Sequence, residues 1–103
     1  MRLIIVTAPI EKAAEIGRVV VEAGLAACVN IIPKVRSIYT WQGNIEDDEE
    51  AMMFFKTTEE TVEKLTAAIR ARHPYEVPEI VAIEIKDNEG NPDYLEWVKN
   101  AVS

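Results

Sequence analysis

Among 103 residues there is one cysteine, Cys28, and one histidine, His73, and each scarcity closes a group of chemistries. A lone thiol forms no internal disulfide and builds neither a CxxC metal pair nor a thioredoxin-like motif, so the expected compartment is the cytoplasm. Basic residues are also in deficit, 11 against 18 acidic ones, for a formal charge of -7. Binding along nucleic acid needs clustered Lys and Arg to neutralise phosphates, so no nucleic-acid partner is expected. Long apolar runs are missing as well. Leu3-Ile4-Ile5-Val6 is far shorter than a membrane span or a signal-peptide core, which predicts no membrane partner and no targeting segment. No Gly-rich phosphate loop follows the first apolar run, no GxSxG elbow occurs, and a Cys28–His73 dyad lacks supporting local sequence. The expectation is a protein that is not an enzyme.

What is present is an ordinary globular mixture, 49% hydrophobic and 28% charged, in a length that holds one domain over residues 1–103. A domain this small buries only about 60 to 70% of the surface its unfolded chain exposes, and partners that add buried area would stabilise it.

Leu3 to Thr7 is a β-branched run stopped by Pro9, which reads as a buried strand. From Ile10 the period changes. Ile10, Ala13, Gly17, Val20, Val21 and Gly24 share one helical stripe, with Glu11, Glu15, Arg18 and Glu22 opposite, so an amphipathic helix ends at Gly24. Ala26 to Trp41 is a long extended segment in which Pro33 removes a ladder donor and implies a bulge or an edge. Gln42-Gly43-Asn44 supplies turn chemistry that pairs it with Ile45 to Lys56 as an antiparallel hairpin. Thr57, three residues before Glu60, has the spacing of a capping box for a second helix with Val62, Leu65 and Ile69 inward. His73 marks its end, because Pro74 cannot continue it. Glu79 to Ile85 alternates as a last strand, and Asn91-Pro92 opens a short helix with Tyr94, Leu95 and Val98 inward. The order βαββαβ plus a C-terminal helix is the split βαβ, ferredoxin-like α+β sandwich, with helices on one face of the sheet and a long central hairpin.

If water covered the other face, strand residues would alternate apolar and polar, because successive side chains point to opposite faces. They do not. Leu3-Ile4-Ile5-Val6, Met52-Met53-Phe54-Phe55 and Ile80-Val81-Ala82-Ile83 are apolar on both faces, which predicts that copies of the chain cover the bare side. Arms of a dozen residues at about 3.3 Å each approach 40 Å, whereas a compact domain of this length has a radius of gyration of about 13 Å. Either the hairpin reaches beyond its own core, with Tyr39 and Trp41 near its tip against a neighbour, or it curls over its own domain. Tyr39, Trp41, Met53 and Phe55 are the expected interface residues.

His73-Pro74-Tyr75 joins the single imidazole to a rigid turn and a phenol. His73 is read either as a ligand for copper or another divalent cation or as a structural helix terminus; a tight site needs further ligands from elsewhere or from another subunit. Cys28 is either a small core hydrophobe or a soft-metal ligand. The run Glu46-Asp47-Asp48-Glu49-Glu50 splits between two faces of a strand, without the glycine and spacing of a calcium loop. It reads as a solvated edge that resists aggregation.

Taken together, VEAGLAACVNIIP, SIYTWQGNIEDDEE, FFKTT, HPYEVPEIVAI and YLEWV, in this order, resemble the CutA divalent-cation-tolerance family over nearly the whole chain. The resemblance implies a ferredoxin-like subunit in a tight homotrimer and a response to copper and other divalent cations. It also implies metal ligands at a cysteine just before the TAP stretch and at two consecutive histidines before PY, which here are Val6, Arg72 and His73. Two of three donors are therefore replaced, and the Arg72 charge opposes a cation beside His73. Two functional expectations follow. One is a trimer that takes up a divalent cation at inter-subunit clefts through His73 and neighbouring oxygens. The other is a trimeric regulatory or scaffold protein binding a small anion or a partner protein in a cleft lined by Lys56, Arg72, Tyr75 and Glu76.

Overall fold

The computed structural model describes residues 1–103. Strand β1 (Arg2–Ala8) leads into helix α1 (Ile10–Glu22), then the long strands β2 (Cys28–Trp41) and β3 (Asn44–Thr57), helix α2 (Val62–Arg72), strand β4 (Ile80–Glu84) and helix α3 (Pro92–Ala101). The four strands form one antiparallel sheet in the order β2-β3-β1-β4, the ferredoxin-like arrangement read from the element order. No helix is long and apolar enough to cross a membrane.

The register sorts the strand residues into two faces. Ile4, Val6 and Ala8 of β1 and Ala51, Met53 and Phe55 of β3 point toward the helices and join Ala13, Ile16, Val20, Leu65 and Ile69 in one core. Met53 and Phe55 are fully buried within a single copy, which corrects their expected place at an interface. Phe54, not Phe55, lies on the opposite face, because one step along a strand exchanges the two faces. That opposite face carries no helix. Leu3, Ile5, Met52, Phe54, Val81 and Ile83 spread across it, with Val81 47% and Ile83 49% exposed.

Helix α1 ends as the glycine predicts. Gly24 has φ +73, its N–H donates to Val21 O, and Leu25 N–H donates to Val20 O, which together satisfy two last-turn carbonyls in a Schellman motif. Gly17 has a different role. A Cβ there would lie 2.9 Å from Val29 Cγ1, so glycine is what lets α1 sit this close to β2.

Strand β1 pairs with β3 only from Ala51 to Thr57, so Asn44–Glu50 and the facing half of β2 form a two-stranded ribbon. The molecule measures 44 × 26 × 22 Å with a radius of gyration of 14.2 Å, elongated as expected for a hairpin that leaves its core. The register slips between Ile32 and Val35, at Pro33, where the ladder lacks a donor. Gln42 (φ 50) and Gly43 (φ 82) both adopt positive φ in the two-residue turn joining Trp41 to Asn44, the backbone of a type I′ hairpin.

Two local expectations are corrected. Thr57 caps no helix: it is the buried last residue of β3, and its hydroxyl donates to Leu25 O at 2.7 Å, tying the strand to the α1–β2 connection. A 3₁₀ turn over Glu59–Thr61 starts α2 instead. Tyr94 is 40% exposed at the sheet edge, whereas Leu95 and Val98 do face inward. Asn91 behaves as read, its Oδ1 accepting from Asp93 N–H at 3.0 Å ahead of Pro92.

Candidate functional site

The acidic run alternates along β3, and on the helix-free face this brings Glu46, Asp48 and Glu50 together across from Tyr39, Ser37 and Val35 of β2. Asp47 and Glu49 turn the other way. There Asp47 accepts two bonds from Arg36, Nε at 2.9 Å and Nη2 at 2.6 Å, which hold its carboxyl below the usual carboxylate range. Lys34 meets Glu49 at 3.3 Å.

At the C-terminus of α2 the chain passes through His73, whose extended backbone stops the helix. The imidazole is only 8% exposed. Its Nε2–H donates to Thr7 O at 2.7 Å, one residue past the end of the β1–β4 ladder, and its Nδ1 accepts from Tyr75 N–H at 3.2 Å. Both ring nitrogens therefore have hydrogen-bond partners within the chain. This geometry supports the reading of His73 as a structural helix terminus that pins the 73–79 segment to β1. Nowhere in the chain do three or more His, Cys, Asp or Glu side chains stand where they would hold a metal ion.

Cys28 is half-buried on the helix-free face at the edge strand, and its Sγ lies 3.5 Å from the Tyr94 hydroxyl. That hydrogen bond, ahead of burial, raises the Tyr94 pKa. Cys28 belongs to no cluster of three or more His, Cys, Asp or Glu side chains within one copy.

His73 positions Tyr75 over the sheet. The two rings are 4.7 Å apart between centroids, and Tyr75 OH donates to Glu50 Oε2 at 2.9 Å. Burial foremost, then this bond, raises the Tyr75 pKa well above the ordinary phenol value. On the ribbon side Tyr39 OH donates to Asp48 Oδ2 at 2.7 Å, and this bond above all pushes the Tyr39 pKa up to about 12. Between the ribbon and the 75–79 segment opens a cavity of about 770 Å³. Its lining joins Tyr39, Trp41 and Tyr75 to the carboxylates of Asp48, Glu50, Glu76 and Glu79, and Thr7 and Met52 are among its apolar and hydroxyl walls.

Of the expected cleft residues, Tyr75 and Glu76 line this cavity, whereas Lys56 and Arg72 do not. Lys56 donates from Nζ to Asn30 Oδ1 farther along the sheet. Arg72 points to solvent from the last turn of α2. Sequence reasoning missed Glu50, Asp48 and Glu79 as cavity residues. The signal for Glu50 was its place where the acidic run meets the apolar run at the buried Ala51.

The residues that carry this architecture are matched as a set. The family model for the CutA1 divalent ion tolerance protein matches residues 2–101. The chain belongs to this CutA1 family. It is 46% identical over 98 residues to the divalent-cation tolerance protein CutA of Thermus thermophilus, covering 94% of this chain and 93% of that one. Protein CutA of Mus musculus is 53% identical over 94 residues, covering 90% of this chain and 52% of the mouse protein, so the chain spans about half the length of that relative. Among solved structures, the PII-like protein CutA from Nostoc sp. PCC 7120 in apo form superposes with a TM-score of 0.94 at 34% identity, covering 100% of this chain and 98% of that one. The ferredoxin-like sheet of this CutA1 member is thus shared with a structure described as PII-like.

Proposed function

We propose that this CutA1 protein acts, without a catalytic step of its own, as a homotrimer in cytoplasmic tolerance of copper and other divalent cations. The observation that carries self-association is the helix-free sheet face, and the number three is what the family resemblance implies. Six apolar side chains from three strands lie on it with no helix over them, Leu3, Ile5, Met52 and Phe54 partly exposed and Val81 and Ile83 exposed, and a second copy is the partner whose matching face is always available. Family membership supports the metal-tolerance role.

With both His73 ring nitrogens hydrogen-bonded within the fold, the cation is taken up through carboxylate oxygens of the ribbon where two copies meet. Oxygen ligands from several side chains suit a divalent ion held with moderate affinity. The test is copper titration of the purified protein beside its Glu46→Gln/Asp48→Asn variant, two ribbon carboxylates that no Lys or Arg pairs with, unlike Asp47 and Glu49. Weaker copper binding in that variant, with the oligomer intact, supports the reading; unchanged binding rejects it.

The rival reading, a trimer that binds a small anion, finds less support. The only basic side chain of the cavity is Arg36, and Asp47 already engages it through two hydrogen bonds.

A further inference from the structure

The helix-free face is charged at both ends and apolar between them. At the ribbon end it carries Glu46, Asp48 and Glu50 of β3, and Glu76 and Glu79 line the same cavity as Asp48 and Glu50. The six apolar side chains from Leu3 to Ile83 make up the middle. At the far end stands Lys56, the one basic side chain that the four strands place on this face. Lys34 and Arg36 turn the other way, where Glu49 and Asp47 hold them. Glu50 and Lys56 lie on one strand, separated by about 20 Å at about 3.3 Å per residue, so within a single copy they cannot meet.

Both charges lack an opposite partner in their own chain. Glu50 is 5% exposed, yet no Lys, Arg or amino terminus lies within ion-pair distance of it. Its Oε2 accepts from Tyr75, and Oε1 has no partner in the chain. No buried polar side-chain atom is left without a partner, so Oε1 opens onto the cavity. Lys56 Nζ donates only to the neutral Asn30 Oδ1 and meets no carboxylate. Asp48 is exposed and Glu46 half-buried, so water serves them better than Glu50. A carboxylate held out of water without a counter-charge is costly, and the cost grows once a second copy covers the face.

We propose that the site beside Glu50 is completed by a neighbouring copy of the chain, whose Lys56 ammonium meets Glu50 Oε1 in an ion pair across the interface. The inference rests on self-association through the helix-free face and adds its orientation. Copies packed with the basic end of one on the acidic end of the next bring apolar middles into contact and oppose unlike charges. Copies packed acidic end on acidic end would crowd carboxylates together, so the pair selects the arrangement as well as holding it. In a closed ring each copy offers one Glu50 and one Lys56, and every pair is satisfied.

Sedimentation equilibrium of the whole protein tests it, in urea enough for the parent to dissociate measurably, on Glu50→Gln, Lys56→Met, Lys56→Arg and the Glu50→Gln/Lys56→Met double variant. Gln keeps an oxygen for Tyr75, Met keeps the aliphatic stem, and circular dichroism verifies that each variant folds. Each charge-removing single variant should raise the dissociation constant of the oligomer at least tenfold. The double variant should be no worse than the worse single, because one interaction can be lost only once. Lys56→Arg, which keeps the charge, and Lys64→Met, on the exposed side of α2, should stay within about threefold of the parent. Losses that multiply in the double variant, or no loss from either single, overturn the ion pair while self-association stands. A parent that sediments as one subunit without urea overturns self-association and the ion pair with it.

Discussion

Replacing His73 by Ala separates a structural imidazole from a metal ligand. The substitution deletes the Nε2–H that satisfies Thr7 O and the Nδ1 that receives Tyr75 N–H, at a site 8% exposed. Each hydrogen bond contributes about 1 kcal/mol net, and a group left buried without a partner costs about 1–3 kcal/mol. The vacated ring volume adds to the loss, although Tyr75 N–H lies nearer the surface and water can serve it in part. The expected destabilisation is therefore about 2–4 kcal/mol, and the midpoint of urea unfolding should fall with little change in slope. Copper affinity of the folded variant should stay within twofold of the parent. Unchanged stability together with a tenfold loss of copper binding would refute the structural role and return His73 to the metal site.

Three further outcomes follow from the same geometry. Phe55→Ala, which empties a fully buried site under the helices, should cost about 3–5 kcal/mol in unfolding experiments, whereas Phe54→Ala on the open face should chiefly weaken association, read as a concentration-dependent sedimentation coefficient. All three tyrosine pKa values are raised, Tyr39 to about 12, so the folded protein should show little phenolate absorbance at pH 10 and Asp48→Asn should let one tyrosine ionise earlier. The sign is that of a raised pKa: the Tyr39–Asp48 bond stabilises fully below the ordinary phenol value of 10 and is lost as pH rises through about 12. Gly24→Ala should destabilise by about 1 kcal/mol or more in thermal unfolding, because φ +73 is strained for any Cβ-bearing residue and Ser103 occupies the space.

Elements governed by local rules were legible in the sequence. Gln42-Gly43 announces its turn through the positive φ it requires, Pro33 its bulge through a missing donor, and Asn91-Pro92 its cap through a short acceptor ahead of a fixed φ. Thr57 shows where local rules fail. Its spacing to Glu60 satisfies a capping pattern, but a distant carbonyl, Leu25 O, wins the hydroxyl, and nothing near position 57 encodes that contact. The two-faced apolar strands revealed that the sheet needs cover on both sides, yet not which of two adjacent phenylalanines faces which side. That choice depends on register with β1.

The site was less legible for the same reason. A histidine before proline and tyrosine suggests a ligand by residue type alone, while its actual partners, Thr7 O and Tyr75 N–H, are backbone groups that composition cannot reveal. The cavity is assembled from the ribbon, the end of β1 and the 75–79 segment, so only tertiary placement joins Tyr39 and Glu50 to Tyr75.

The central claim is that the helix-free sheet face is buried by further copies of the chain. Sedimentation equilibrium over a micromolar concentration series measures this directly. A single species of three times the subunit mass, shifting toward smaller species when Phe54→Glu or Val81→Glu places a charge on that face, is the predicted result. A parent protein that sediments at the mass of one subunit, stable and soluble with that face in water, would contradict it.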